Sequence, residues 1–202
     1  MKKPMHRLPL LVLMLSCSSL AFAGPVTTYT ADFEGIPGYT LLSNNEYTDA
    51  TFSNALELQA SDNDEAGYPP HSGTGEITDA GLNWNDPADS IVVSFSTGMG
   101  TVSGWYTDYD GVVVTAYDAF GNVLDTFTGG SVYYADAFFQ VSDTSGLDPI
   151  AYVTIGDAQD ITSGFETVDD LSYTTTPEPG SFVLLGTGLL GLAGAVRRKF
   201  AR

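Results

Sequence analysis

Between Gly24 and Thr176 the apolar residues come in short runs that alternate with polar ones. Ile91-Val92-Val93-Ser94-Phe95 puts Ile91, Val93 and Phe95 on one face, the period-two signature of a half-buried strand. Similar runs at Thr101 to Tyr106, Val112 to Tyr117, Val123 to Thr128, Val132 to Val141, Ala151 to Ile155 and Leu171 to Thr174 predict further strands, separated by Gly, Asn, Asp and Ser. Val112 to Phe127 reads as a hairpin turning at Asp118-Ala119-Phe120-Gly121-Asn122, and Asp108-Tyr109-Asp110-Gly111 as a tight turn between two strands. No stretch carries the spacing of a long amphipathic helix, and no repeat period appears, which disfavours a solenoid or propeller. The pattern predicts an all-β domain, an antiparallel β-sandwich of jelly-roll type. A segment spanning residues 24–176 is one domain by length, and about 68–70% of its unfolded surface can be buried.

The two ends break this alternation. Lys2, Lys3, His6 and Arg7 precede the apolar run Leu8 to Leu15, and Ala21-Phe22-Ala23 supplies the small-x-small pattern that signal peptidase reads. The run is too short to span a bilayer, so residues 1–23 are read as a cleaved signal peptide. With cleavage after Ala23, the single cysteine, Cys17, is discarded and the mature chain has none. At the other end Ser181 to Val196 is free of charge and is followed by Arg197-Arg198-Lys199. As a helix it would be about 24 Å long at 1.5 Å per residue, a marginal transmembrane span with its basic flank in the cytoplasm.

Charge sharpens the division. The chain of 202 residues holds 25 Asp+Glu against 7 Lys+Arg, net -18, yet no Lys or Arg occurs from Leu8 to Val196. Residues 24–176 therefore carry 24 acidic groups and no Lys or Arg, a formal charge of -24. That excludes nucleic acid as a partner, because phosphate binding rests on Lys and Arg, and it removes any Arg clamp or Schiff-base lysine. His71 is the only histidine left after signal cleavage. With no Cys, Lys or Arg beside it and no nucleophile-elbow motif, no catalytic role is expected.

Pro177-Glu178-Pro179, the short Gly/Leu/Ala-rich span and the terminal basic cluster, in that order, resemble the PEP-CTERM protein-sorting signal over residues 177–202. The same tail is also catalogued as the ice-binding-protein C-terminal domain, a name that implies nothing about ice affinity. The resemblance implies an exported precursor, held in the inner membrane of a Gram-negative bacterium and processed near Pro-Glu-Pro by an exosortase. It further implies a final place at the cell surface or in an extracellular matrix, in the company of exopolysaccharide or biofilm. Pro177, Glu178 and Pro179 would be a recognition site on a substrate. The two prolines keep that stretch extended and out of the helix.

Ala31-Asp32-Phe33-Glu34-Gly35-Ile36-Pro37, Tyr117 to Asn122 and Val168-Asp169-Asp170-Leu171-Ser172-Tyr173 resemble the exported β-sandwich domains that precede such tails, which are similar to carbohydrate-binding jelly rolls. That resemblance implies neighbouring first and last strands sharing a structural calcium ion, with Asp32, Glu34, Asp169 and Asp170 as the matching carboxylates. Calcium takes six to eight oxygen ligands, so clustered acids without Lys or Arg suit it. The solvated strand-end reading of the same acids stands beside it. Asp62-Asn63-Asp64-Glu65-Ala66-Gly67 begins like an EF-hand loop, but Ala66 takes a ligand place and Gly73 stands where the bidentate Glu belongs, so it reads as a surface loop. No other cofactor is expected. Trp84, Trp105 and Tyr106, with Tyr109, Tyr133 and Tyr134, are candidates for stacking on a polysaccharide, a mode that needs no basic residue, although the same residue types also fill sandwich cores. N-terminal sequencing of the exported protein should begin at Gly24; a chain still starting at Met1 would contradict the signal-peptide assignment.

Overall fold

Ten strands are present in the computed structural model: β1 (Thr28–Ala31), β2 (Ala50–Ser53), β3 (Ala55–Gln59), β4 (Gly75–Asp79), β5 (Ile91–Asp108), β6 (Val112–Tyr117), β7 (Val123–Thr128), β8 (Val132–Ser142), β9 (Ile150–Asp157) and β10 (Thr167–Thr175). The structure describes residues 25–42, 46–61, 67–79, 90–144, 148–157 and 166–176, with Gly188 and Gly191. These fall mainly in a compact unit, Val26–Thr176. The second unit, residues 1–25 with 177–202, lies almost wholly outside them. The signal segment with Ala21 and Ala23, the motif Pro177 to Pro179, and Trp84 are therefore outside the described residues, as are residues 62–66 of the acidic loop. Of the predicted span, only Gly188 and Gly191 are described, both helical, and among the described residues no helix is long and apolar enough to cross a membrane.

Every strand pairing is antiparallel. The hydrogen-bonded order is β3-β4-β10-β5-β9-β6-β7, with β1 added on β10 and both β2 and β8 on β5. At 18 residues β5 is three times the usual strand length, and its two halves serve different neighbours. Val92 to Ser94 lie between β2 and β9, whereas Thr101 to Tyr106 lie between β10 and β8. The register breaks between Ser94 and Met99, where the strand passes from one set of partners to the other. The alternation thus predicts two strands, Ile91 to Phe95 and Thr101 to Tyr106, where one continuous strand exists, because Ser96-Thr97-Gly98 looks like a turn but only shifts register.

The remaining expectations hold where the local chemistry is strong. The hairpin β6–β7 turns at Asp118, whose carboxylate accepts from the backbone amides of Phe120 and Asn122, each at 2.8 Å. The Asn122 side-chain amide adds a third bond at 2.7 Å and is the main reason that this carboxyl titrates below its ordinary range. The turn from β5 to β6 is organised likewise by Asp108 Oδ1, which accepts from the amides of Asp110 (2.7 Å) and Gly111 (3.0 Å). Gly111 sits at φ 99°, open to glycine at little cost. The short strands β1 to β4 carry too few apolar residues for alternation to show, and they are defined by pairing instead. The first and last strands are indeed neighbours, from Thr28 opposite Thr174 to Ala31 opposite Leu171.

The core contains Ile77, Ile91, Val93, Val102, Val112, Val114, Phe139, Val141, Val153, Ile155, Val168 and Leu171, all fully buried. Gly104 belongs to this packing. A Cβ there would lie 2.9 Å from Cζ of Phe139, closer than real contacts allow, and 3.3 Å from the Asp169 carbonyl. Gly104→Ala should therefore destabilise by about 1–3 kcal/mol, lowering Tm by roughly 2–4 °C per kcal/mol; thermal unfolding followed by circular dichroism checks it.

Candidate functional site

Alternation along β5 separates two residues that the sequence places together. Trp105 is opposite Asp169 on β10 and Phe138 on β8, on the face turned away from the core. Tyr106, one residue on, points inward, is 3% exposed, and donates from its hydroxyl to the Gly130 carbonyl at 3.1 Å. The expectation that Tyr106 shares a glycan platform with Trp105 is thus corrected, since neighbours in a strand face opposite ways. Burial, followed by the nearby Asp108 charge, pushes its phenol up.

Beside Trp105 the partner strand is irregular. Tyr106 pairs with Ala137 but Asp108 with Val132, so Tyr133 to Asp136 on β8 stand opposite Thr107 alone. Such bulges re-aim side chains and are frequent next to functional sites. Three contacts hold this one. Thr107 Oγ1 donates to the Ala135 carbonyl at 2.9 Å, the Tyr134 amide donates to the Gly67 carbonyl at 2.9 Å, and the Asp136 carboxylate meets Nδ1 of His71. Tyr134 has φ 64°, left-handed backbone that a bulky residue adopts only at a cost.

The bulge presents a run of rings. Tyr133 and Tyr134 have centroids 4.0 Å apart, Tyr109 lies 5.6 Å from Tyr133 edge-on, and Tyr68 lies 5.3 Å from it. A side chain at Gly67 would collide with the Tyr133 ring, so glycine there lets the ring lie against the backbone. Trp105 continues the surface: His71 stacks on it at 3.8 Å and 6°, and Phe138 approaches at 5.4 Å. Tyr134, Tyr109 and Phe138 are 66%, 58% and 47% exposed. Phe120 and Tyr39 are 88% and 54% exposed as well, so it is the packing of these rings against Tyr133 and Trp105, not exposure alone, that sets them apart.

Asp169 joins the site from β10. Its side chain is 3% exposed and accepts from the Ser72 amide at 2.8 Å, fixing the loop that carries His71. Burial, opposed by that bond, pushes its carboxyl up to about 6. Glu34 behaves in the opposite way: it caps the amides of Gly75 (2.9 Å) and Thr74 (2.7 Å), and those bonds hold it below its ordinary range. Asp32 is exposed and only accepts from the Glu34 amide at 3.4 Å, while Asp170 is half-buried at φ 48°. Among the described residues no three His, Cys, Asp or Glu side chains are grouped to hold a metal ion. Of the four carboxylates implied for calcium, Asp169 and Asp170 are on β10, whereas Asp32 and Glu34 follow the end of β1, and the four are not gathered. The residues Tyr109, Tyr133 and Tyr134 were legible as residue types; His71 and Asp136, 65 positions apart, were not, since only the fold joins them.

The antiparallel all-β architecture has counterparts among solved structures. The K2 cleaved adhesin domain of Lys-gingipain has the same fold, with TM-score 0.50 and 15% identity over 73% of this chain and 99% of that one. Also similar are TmCBM61 in complex with β-1,4-galactotriose (TM-score 0.41, 13% identity, 72% of this chain and 99% of that one) and an isomalto-dextranase of Arthrobacter globiformis complexed with panose (0.39, 19%, 73% and 23%). No curated protein sequence matches the chain. The tail is more specific: residues 175–199 match the PEP-CTERM protein-sorting motif, and the chain carries that motif.

Two tests follow from this geometry. Because the folded pKa of Asp169 lies above the ordinary value of about 3.9, the native state holds this proton more tightly than the unfolded state. Its contribution therefore rises as pH falls from about 7 to 4 and is flat below, and Asp169→Asn should flatten the pH dependence of Tm in that window. Replacing the strained residue, Tyr134→Gly, relieves a backbone cost of about 1–3 kcal/mol; Tm should stay level or rise, and a loss of more than about 1 kcal/mol would mark the ring as structural.

Proposed function

We propose that this is an exported exosortase substrate whose β-sandwich, of jelly-roll type, is an interaction module for polysaccharide at the cell surface or in the extracellular matrix. Signal peptidase removes residues 1–23, and the precursor is held in the inner membrane of a Gram-negative host through residues 181–196. The exosortase then acts near Pro177-Glu178-Pro179. The sorting motif supports the route. The observation that carries the destination is the β8 bulge, which opens Tyr134 to solvent at a strained φ, with Tyr109 joined to it through Tyr133 and with Trp105 and Phe138 in contact on the same pair of strands.

Aromatic faces stack on the apolar faces of sugar rings and need no cation, which fits a domain without Lys or Arg. This joins the structural role in exopolysaccharide or biofilm to the carbohydrate-binding one: the module holds the matrix by binding it. The reading assigns the domain no reaction. A glycan array probed with residues 24–176 tests it. Saturable binding should appear on a subset of glycans and fall at least tenfold in Tyr134→Gly, with the variant's Tm measured alongside to check that the fold is kept. Binding to no glycan, or equal binding by that variant, would overturn the assignment.

A further inference from the structure

The charge around the aromatic bulge restricts the polymer that can occupy it. We infer that the preferred ligand is a glycan bearing free amines, such as a partly deacetylated hexosamine polymer, and not an acidic polysaccharide; this rests on the polysaccharide reading above. The residue next to Tyr109 is Asp110, Asp136 lies within the bulge two residues from Tyr134, and Asp169 and Asp170 follow on β10 across from Trp105. His71 is paired with Asp136 and also acts on Asp169, so one imidazole is shared between two carboxylates. No Lys or Arg stands anywhere between Leu8 and Val196, so no other side chain offsets the rest.

An acidic sugar at the bulge would meet only like charge, with no guanidinium or ammonium to receive its carboxylate or sulfate. A neutral sugar would gain stacking alone. An amine gains twice: the phenol rings of Tyr109 and Tyr134 offer exposed faces that attract a cation, and the surrounding carboxylates add a negative field. The 24 acidic groups of residues 24–176 extend that field over the whole domain and would speed the encounter with a cationic polymer.

The full chain in mild detergent is titrated with hexamers of glucosamine, N-acetylglucosamine and galacturonic acid, at low and at high salt. The glucosamine hexamer should bind on the order of tenfold more tightly than the acetylated one, with the difference shrinking at high salt, and the acidic hexamer should not bind. Equal affinity for the amine and acetylated forms would overturn the amine preference while leaving the polysaccharide reading standing. Binding of none would overturn both. Tyr134→Gly separates a site from general attraction between opposite charges: loss of the amine hexamer supports the bulge as its seat, and undiminished binding by that variant overturns the proposal.

Discussion

One strand holds the domain together. β5 hydrogen-bonds to β2, β8, β9 and β10, so four of the other nine strands depend directly on its path. Its first half lies between β2 and β9 and its second between β10 and β8, with the change of partners near Gly98-Met99-Gly100. Met99 touches both sets, opposite Ile150 on β9 and Thr175 on β10, and is fully buried. With a single cysteine the chain can form no internal disulfide, so this shared strand and the core around it must supply the cohesion that small domains often draw from cross-links.

The second constraint is electrostatic. A domain with no Lys or Arg must satisfy its carboxylates with amides and hydroxyls, and it does so at turns and loop anchors. Asp118 and Asp108 each organise a reverse turn, Glu34 ties the segment after β1 to the start of β4, and Asp169 ties β10 to the loop bearing His71. At these four positions charge shapes backbone, whereas Asp136 pairs with His71. Where an amide bond dominates, the carboxyl titrates low, as in Glu34; where burial dominates, it titrates high, as in Asp169. Burial acts in the same sense on Tyr173, whose phenol is pushed up to about 12 and whose hydroxyl donates to the Thr48 carbonyl at 2.7 Å.

Much of this was legible in the sequence where a single local rule governs. Alternation marked the strands from Ile91 onward, and Asp and Gly marked the turns at 108–111 and 118–122, because turn chemistry is local. The strands β1 to β4 escaped, since four or five mixed residues carry no period. The aromatic face was half legible: residue types pointed to Trp105, Tyr109, Tyr133 and Tyr134, but only the pleat tells that Tyr106 turns inward. The bulge itself depends on a register mismatch of β5 with β8, and the His71–Asp136 pair on a loop closing over that strand. Neither leaves a mark in one sequence. Of the acids of the resemblance, Asp169 and Asp170 lie within β10 and Asp32 and Glu34 just after β1, and Glu34 and Asp169 accept from nearby backbone amides.

We propose that the outward face of β5 and β8, opened by the bulge, is where this domain meets polysaccharide. Amide chemical-shift mapping by NMR during titration with a glycan hexamer tests it most directly. The shifts should concentrate at Tyr68 to Ser72, Trp105 to Tyr109 and Tyr133 to Phe138. Shifts confined to the cleft near Phe95, Phe120 and Pro149, on another part of the surface, would contradict it.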